Sequence, residues 1–241
     1  MIVLFLAESS DPAGDEGDAV PATSGLQVNE QALAALVGGG ERPGMRRDSR
    51  RNRLRLMAAA GLLSDSGRDL TMQQVAETAD IAIATAYRHF PSIDELIAGY
   101  VLAVVDDQAT FAEQLLGDDP DGEDYLATVL GHWIDLIRTH GSMMVNHRSH
   151  RGFLERLSAG DPLIARASAA WRPPVDRFLA ARGLPPDAAD EALYLANLLF
   201  DPREILDQLR QTPVDTTALA RRLMATLDGA VRGWRSSPIT G

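Results

Sequence analysis

Apolar residues recur at helical spacing from about residue 46 to near the C-terminal end, and hardly at all before it. Leu56, Ala59, Ala60 and Leu63 fall at i, i+3, i+4 and i+7, one face of a first helix. Ser66-Gly67 supplies a residue suited to the left-handed stop after it. Thr71-Met-Gln-Gln74 reads as a capping box, with Leu70 and Val75 placed as a hydrophobic staple. Met72, Val75, Ala76 and Ala79 repeat the helical spacing on a short second helix. After a break at Asp80-Ile81, a third short helix carries Ala86 and Phe90 on one face and ends at Pro91. Ser92-Ile-Asp-Glu95 is a second capping box, opening a long helix to about Leu116. Beyond the polar loop 118–124, helices are predicted over 125–139, 143–158, 162–182, 187–211 and 215–234. Pro173-Pro174, Pro185-Pro186 and Pro202 are expected to break or kink them. No β pattern of useful length and no internal repeat is present. The fold class is all-α.

Composition agrees, and it removes several functions. Aromatics are only 5% of the 241 residues, and the apolar content is mostly Leu and Ala, a mix that favours helix. With no cysteine, disulfides, thiolate chemistry and Cys-based zinc sites are excluded. No nucleophile elbow, Walker loop, glycine fingerprint or HExxH occurs, so neither an enzyme nor a cofactor is expected. Residues 8–44 are rich in Gly, Asp, Glu, Ala and Pro, and a disordered tail is expected over 1–45. Gln31–Val37 has room for a helical turn or two. Met45 opens the first segment with a folded pattern, which leaves open whether the natural start lies there. No stretch approaches the ~20 apolar residues of a membrane span, and Met1–Ala7 lacks the basic leader of a secretory signal. No membrane partner is expected, and the cytoplasm is the expected location.

The net charge of −11 argues at first against nucleic acid, but the balance is local. Arg42 to Arg55 holds seven arginines and one acid. Glu41 to Ser92 holds nine arginines against six acids, a balance of +3, which leaves −14 for the rest. A basic head is drawn to DNA while an acidic body is kept off it. All 23 basic residues are arginine, which codon bias in a GC-rich genome accounts for.

Three short helices with a tight turn between the second and third form a helix-turn-helix unit, whose third helix enters the major groove. Leu70–Ile97 (LTMQQVAETADIAIATAYRHFPSIDELI) resembles the TetR family signature. The resemblance is carried by Leu70-Thr71, Val75-Ala76, Ala79, Ile81, Thr85, Tyr87, Arg88, Phe90-Pro91-Ser92 and Leu96. It covers residues 49–96 closely and the rest only as a general architecture. It implies a helix-turn-helix DNA-binding domain over 46–92 and a helical ligand-binding and dimerisation domain over 93–241. The implied function is a ligand-responsive transcriptional regulator, by family default a repressor. Its partners would be a double-stranded DNA operator, a second copy of the chain in a homodimer, and a small-molecule effector. The alternative is a nonspecific or degenerate DNA-binding or interaction protein with the same fold.

Roles follow from that resemblance. Thr71 would cap the second helix and offer a phosphate its hydroxyl. Tyr87 and His89 match the family's phosphate-contacting aromatics, and Thr85 adds a hydroxyl. Ile83 and Ala84 sit where the family places residues facing the groove. Arg88 is the candidate for a guanine edge. Arg46, Arg47, Arg50 and Arg51 would form an arm on the backbone or in the minor groove. Four departures stand out: Asp80 replaces the turn glycine, Ala82 the polar cap of the recognition helix, and Ile83 and Ile93 frequent lysines.

In the body, polar and aromatic residues that interrupt apolar helices are effector candidates: Trp133, His140, Met144, His147, Trp171, Tyr194 and Asn197. The histidines 140, 147 and 150 lack a carboxylate partner and lie beside Arg148 and Arg151, so no metal site is expected. Ala192–Phe200 is apolar almost all round, and Leu219, Leu223, Leu227, Ala230 and Trp234 form a stripe. With Leu193 and Phe200, Leu219, Leu223, Leu227 and Trp234 are expected to bury against a partner subunit. The same stripe also suits an ordinary intramolecular core.

Overall fold

Three N-terminal helices close on one another because none is long enough to stand alone. They are α1 (Arg47–Ser64), α2 (Met72–Thr78) and α3 (Ile83–His89), as seen in a computed structural model that describes residues 47–64, 69–118, 120–146 and 151–236. Of the expected inner faces, Leu56, Ala59, Ala60, Met72, Val75, Ala76, Ala79, Ala86 and Phe90 are all buried together, with Leu63 half-buried against them. The tail, Ser66-Gly67, Arg46 and His147 lie outside the described residues.

Local chemistry starts and stops these helices. Thr71 Oγ1 accepts from the Gln74 amide at 3.3 Å, while the Thr71 amide donates to Gln74 Oε1 at 3.1 Å, so the predicted box is formed in full. Thr71→Ala removes both capping bonds of the hydroxyl and is expected to cost about 1 kcal/mol in urea unfolding, whereas Thr71→Ser is nearly neutral. At the far end of α2, Asp80 takes φ 52°, and Asp80 N–H and Ile81 N–H donate back to the carbonyls of Glu77 (3.1 Å) and Ala76 (2.9 Å). That is a Schellman stop with aspartate where glycine is usual; aspartate tolerates the left-handed region better than most side chains. Arg55 sits 3.9 Å from the Asp80 carboxylate.

α4 (Ile93–Leu116) opens on Ser92, whose Oγ accepts from the Glu95 amide at 3.1 Å. It leaves the head against α1 and then packs on α5 (Gly122–Asn146) and α7 (Pro162–Ala181). A short α6 (Phe153–Ser158) precedes α7, and a 3-10 turn at Pro186–Ala188 leads into α8 (Ala189–Leu199). α9 (Pro202–Gln211) and α10 (Thr216–Ser236) follow. α5 is the hub, touching α1, α4, α7, α9 and α10. No strand occurs among the described residues.

Two expected breaks are absent. The gap between 139 and 143 is helical, and Gly141 within it allows a close approach: a Cβ there would stand 3.1 Å from both methyls of Leu206 on α9. Pro173 and Pro174 lie inside α7 without ending it. Proline's φ is itself helical, so what is lost is two intrahelical donors. Pro202 behaves as expected, at the start of α9 after the Asp201 cap.

Candidate nucleic-acid interface and effector cavity

α3 turns Ala86 and Phe90 inward, which leaves Ile83, Ala84, Tyr87 and Arg88 on the opposite side. Ile83 is 43% exposed and Tyr87 50%, unusual for side chains of that size. Thr85 is half-buried at the edge of the face. Arg88 makes no hydrogen bond or ion pair with any described residue, so its fork is available to a base edge. Arg51 is exposed on α1 and Arg50 half-buried beside it; the side chain of Arg47 lies outside the described part.

At two of the expected phosphate contacts the side chain is turned toward the head itself. The Thr71 hydroxyl donates to Gln74 Oε1 at 2.8 Å while accepting the Gln74 amide, so capping occupies it and a phosphate would have to displace that bond. His89 is turned inward: its Nε2 is buried with no partner, and its carbonyl accepts from Arg53 Nη1 at 3.3 Å. Burial first, then the neighbouring Arg88 and Arg53, push its pKa below the usual histidine value. With Nε2 buried, that nitrogen is not turned toward a phosphate. Arg53 was not singled out by the sequence. It stands 4.0 Å over the Phe90 ring and ties α1 to the end of α3.

The family profile described as bacterial regulatory proteins, tetR family, matches residues 56–100. Over those residues the head is similar to the tetR family of bacterial regulatory proteins. Solved structures that resemble the chain include three regulators. One is a TetR transcriptional regulator from Rhodococcus, 22% identical, covering 75% of this chain and 96% of that one with a TM-score of 0.46. A regulator of the same family from Mesorhizobium loti is 18% identical, with 78% and 98% covered and a TM-score of 0.49. A TetR variant from Acinetobacter baumannii in complex with minocycline is 19% identical, with 80% and 98% covered and a TM-score of 0.48. No curated protein matches the chain. No described helix is long and apolar enough to cross a membrane.

This head stands on a body that holds a cavity of about 300 Å³. Of the expected effector residues, Trp133, Met144 and Asn197 line it. Trp171 sits behind the wall, edge-on to Trp133 at 5.9 Å and 5.1 Å from the Phe200 ring, while Trp133 Nε1 donates to the Phe200 carbonyl at 3.0 Å. Tyr194 is outside, between Phe153 (6.5 Å) and Trp234 (6.0 Å). His140 is not in the wall. It is buried, and its Nδ1 shares a 2.8 Å hydrogen bond with the Tyr100 hydroxyl of α4.

Burial lowers the His140 pKa, with Asp107 opposing. The folded imidazole therefore binds a proton less readily than the unfolded one, whose pKa is 6.5. Stability is retained above that value and lost as pH falls below it, by up to about 1.4 kcal/mol per pH unit for one group. Thermal melts between pH 5 and 8 should show this, and His140→Gln, which can still bond Tyr100, should flatten the acid limb.

The apolar stripe also proves to face elsewhere. Leu219, Leu223, Leu227 and Phe200 are buried inside the single chain, so they are covered before any partner arrives. Leu193 is half-buried against the same core. Only Trp234, 47% exposed, faces out, joined by Leu198 of α8 at 51%.

Proposed function

We propose that this protein is a TetR-family, homodimeric, operator-specific transcriptional regulator, a cytoplasmic repressor that a small molecule releases from DNA. The observation that carries the reading is the outward face of α3, where Ile83, Ala84, Tyr87 and Arg88 are left unpacked on a head otherwise closed by its own core. Ile83 suits a thymine methyl, Arg88 a guanine edge, and Tyr87 and Arg51 the backbone. The arginines 46, 47 and 50 belong with Arg51 in an arm along the duplex. The acidic body repels DNA, which leaves the head as the docking surface.

Release is a linkage between two sites. Val101 and Val105, which wall the cavity, belong to α4, and the same helix packs on α1 in the head. A ligand that fits the cavity better when α4 is displaced shifts the population away from the DNA-binding one. The partner surface is the apolar patch of exposed Leu198 and Trp234 with half-buried Tyr194 on α8 and α10, in place of the inward stripe. A two-fold pair would hold two heads about one DNA turn apart, ~34–36 Å.

A footprint on the DNA flanking the chain's own gene tests the proposal. Protection of two half-sites one turn apart, surviving excess competitor DNA, supports it. Binding that competitor DNA abolishes would favour a nonspecific binder with this fold. Trp234→Glu, followed by sedimentation, should give a monomer that binds the operator poorly.

A further inference from the structure

We infer that the cavity takes an apolar monocarboxylate, its carboxylate bound by Arg203 and Asn197 and its body lying along the α4–α5–α7 wall. The inference rests on reading that cavity as the effector site. One wall is apolar: Val101 and Val105 from α4, Trp133 and Met144 from α5, and Ile164 from α7. The polar part of the lining comes from α6, α8 and the start of α9, with Arg156, Asn197, Asp201 and Arg203. An elongated ligand with one polar end fits such a lining.

The sign of that end follows from which groups are already engaged. Arg156 Nε donates to Asp161 at 2.9 Å, so much of its charge is answered. Asp201 Oδ1 accepts the Arg203 amide at 2.8 Å as the cap of α9, and the helix N-terminus stabilises its negative charge. The Arg203 guanidinium, although partly buried, has no hydrogen bond or ion pair with any described residue. Asn197 likewise has no described partner for its amide. A partly desolvated guanidinium without a partner is stabilised by an anion that completes it, and a planar carboxylate matches its fork. An amine would meet two arginines and one committed carboxylate. An alcohol would leave the Arg203 charge unanswered. The volume, at the small end of the usual ~300–1,000 Å³ for ligand sites, suits one acid with a short chain or a fused ring.

Calorimetry on the full chain with decanoate, 1-decanol, decylamine and 1-naphthoate tests this. Both acids are expected to bind, with decanoate about tenfold or more tighter than 1-decanol and decylamine weaker still. Arg203→Met should abolish the preference for the acid while leaving 1-decanol unchanged, and Arg203→Lys should restore part of it. Arg203 lies far along the chain from the head, so an unaltered DNA mobility shift and melting curve show that each variant is folded. Equal binding of acid and alcohol, a preference that survives Arg203→Met, or no binding of either acid overturns the inference. DNA release is measured separately. An acid that binds at Arg203 but leaves the DNA complex intact counts against release by ligand and leaves the acid site standing. Release by 1-decanol at the same concentration as by decanoate supports release by ligand and counts against the acid site.

Discussion

Phe90→Ala is expected to unfold the head at temperatures where the body stays folded, at a cost of about 3–5 kcal/mol. Phe90 is 1% exposed, and its amide closes α3 by donating to the Ala86 carbonyl at 2.9 Å. Arg53 of α1 lies over one face of the ring, and Gly99 of α4 is so close that a Cβ there would stand 3.2 Å from it. One ring thus joins the first, third and fourth helices. Truncation leaves a cavity, removes the cation–π contact, and frees the linkage between the recognition helix and α4. A head built from one 18-residue helix and two of 7 has little core to spare. Urea unfolding followed by circular dichroism should split into two transitions, the first small and early. DNA binding should disappear with that first transition. Phe90→Leu, which keeps most of the volume, should retain both. A single unshifted transition with intact DNA binding would mean that the ring is not the joint described here.

The head was legible because its signals are local. A capping box, a period of apolar positions and a proline each act within a few residues: Thr71 and Pro91 bracket the helix boundaries in the structure, and Ala86 marks the buried face of α3. Even the substituted turn was readable as a turn, since Asp80 adopts the positive φ that its position demands. What the sequence hid was orientation and close approach. His89 looks like a surface residue one position from Arg88, yet α3 turns it inward, and only the packing of α1 reveals this. Gly141 lies in the gap left between two predicted helices, and its close approach to Leu206 appears only in the packing.

The body was harder for the same reason. A stripe at Leu219, Leu223 and Leu227 specifies that one face of α10 is buried, but not against what. Here α5 and α8 cover it. The outward residues Leu198 and Trp234 carry no periodic signal of their own. Arg203 is similar: among twenty-three arginines nothing in the sequence distinguishes it, and its significance lies in the absence of a described partner beside an apolar cavity.

Arg88→Ala separates specific from nonspecific binding by the head. If Arg88 forks onto a guanine, its loss costs about 1–3 kcal/mol per head and relaxes the preference at that base pair. Two heads on a palindrome double this to about 2–6 kcal/mol, a loss of roughly 30-fold to more than 10⁴-fold in affinity. Arg51→Ala is the control. As a backbone contact it should weaken specific and competitor DNA alike and reduce the slope of log K against log salt by about one per head. The face of α3 is otherwise poor in polar groups, with Ile83 and Ala84 beside Arg88, so little else on the helix can compensate for it. Mobility shifts across a salt series, on operator and on scrambled DNA, distinguish the two effects. Should Arg88→Ala and Arg51→Ala lower both affinities equally, α3 would be acting as a charged surface rather than as a reader of bases.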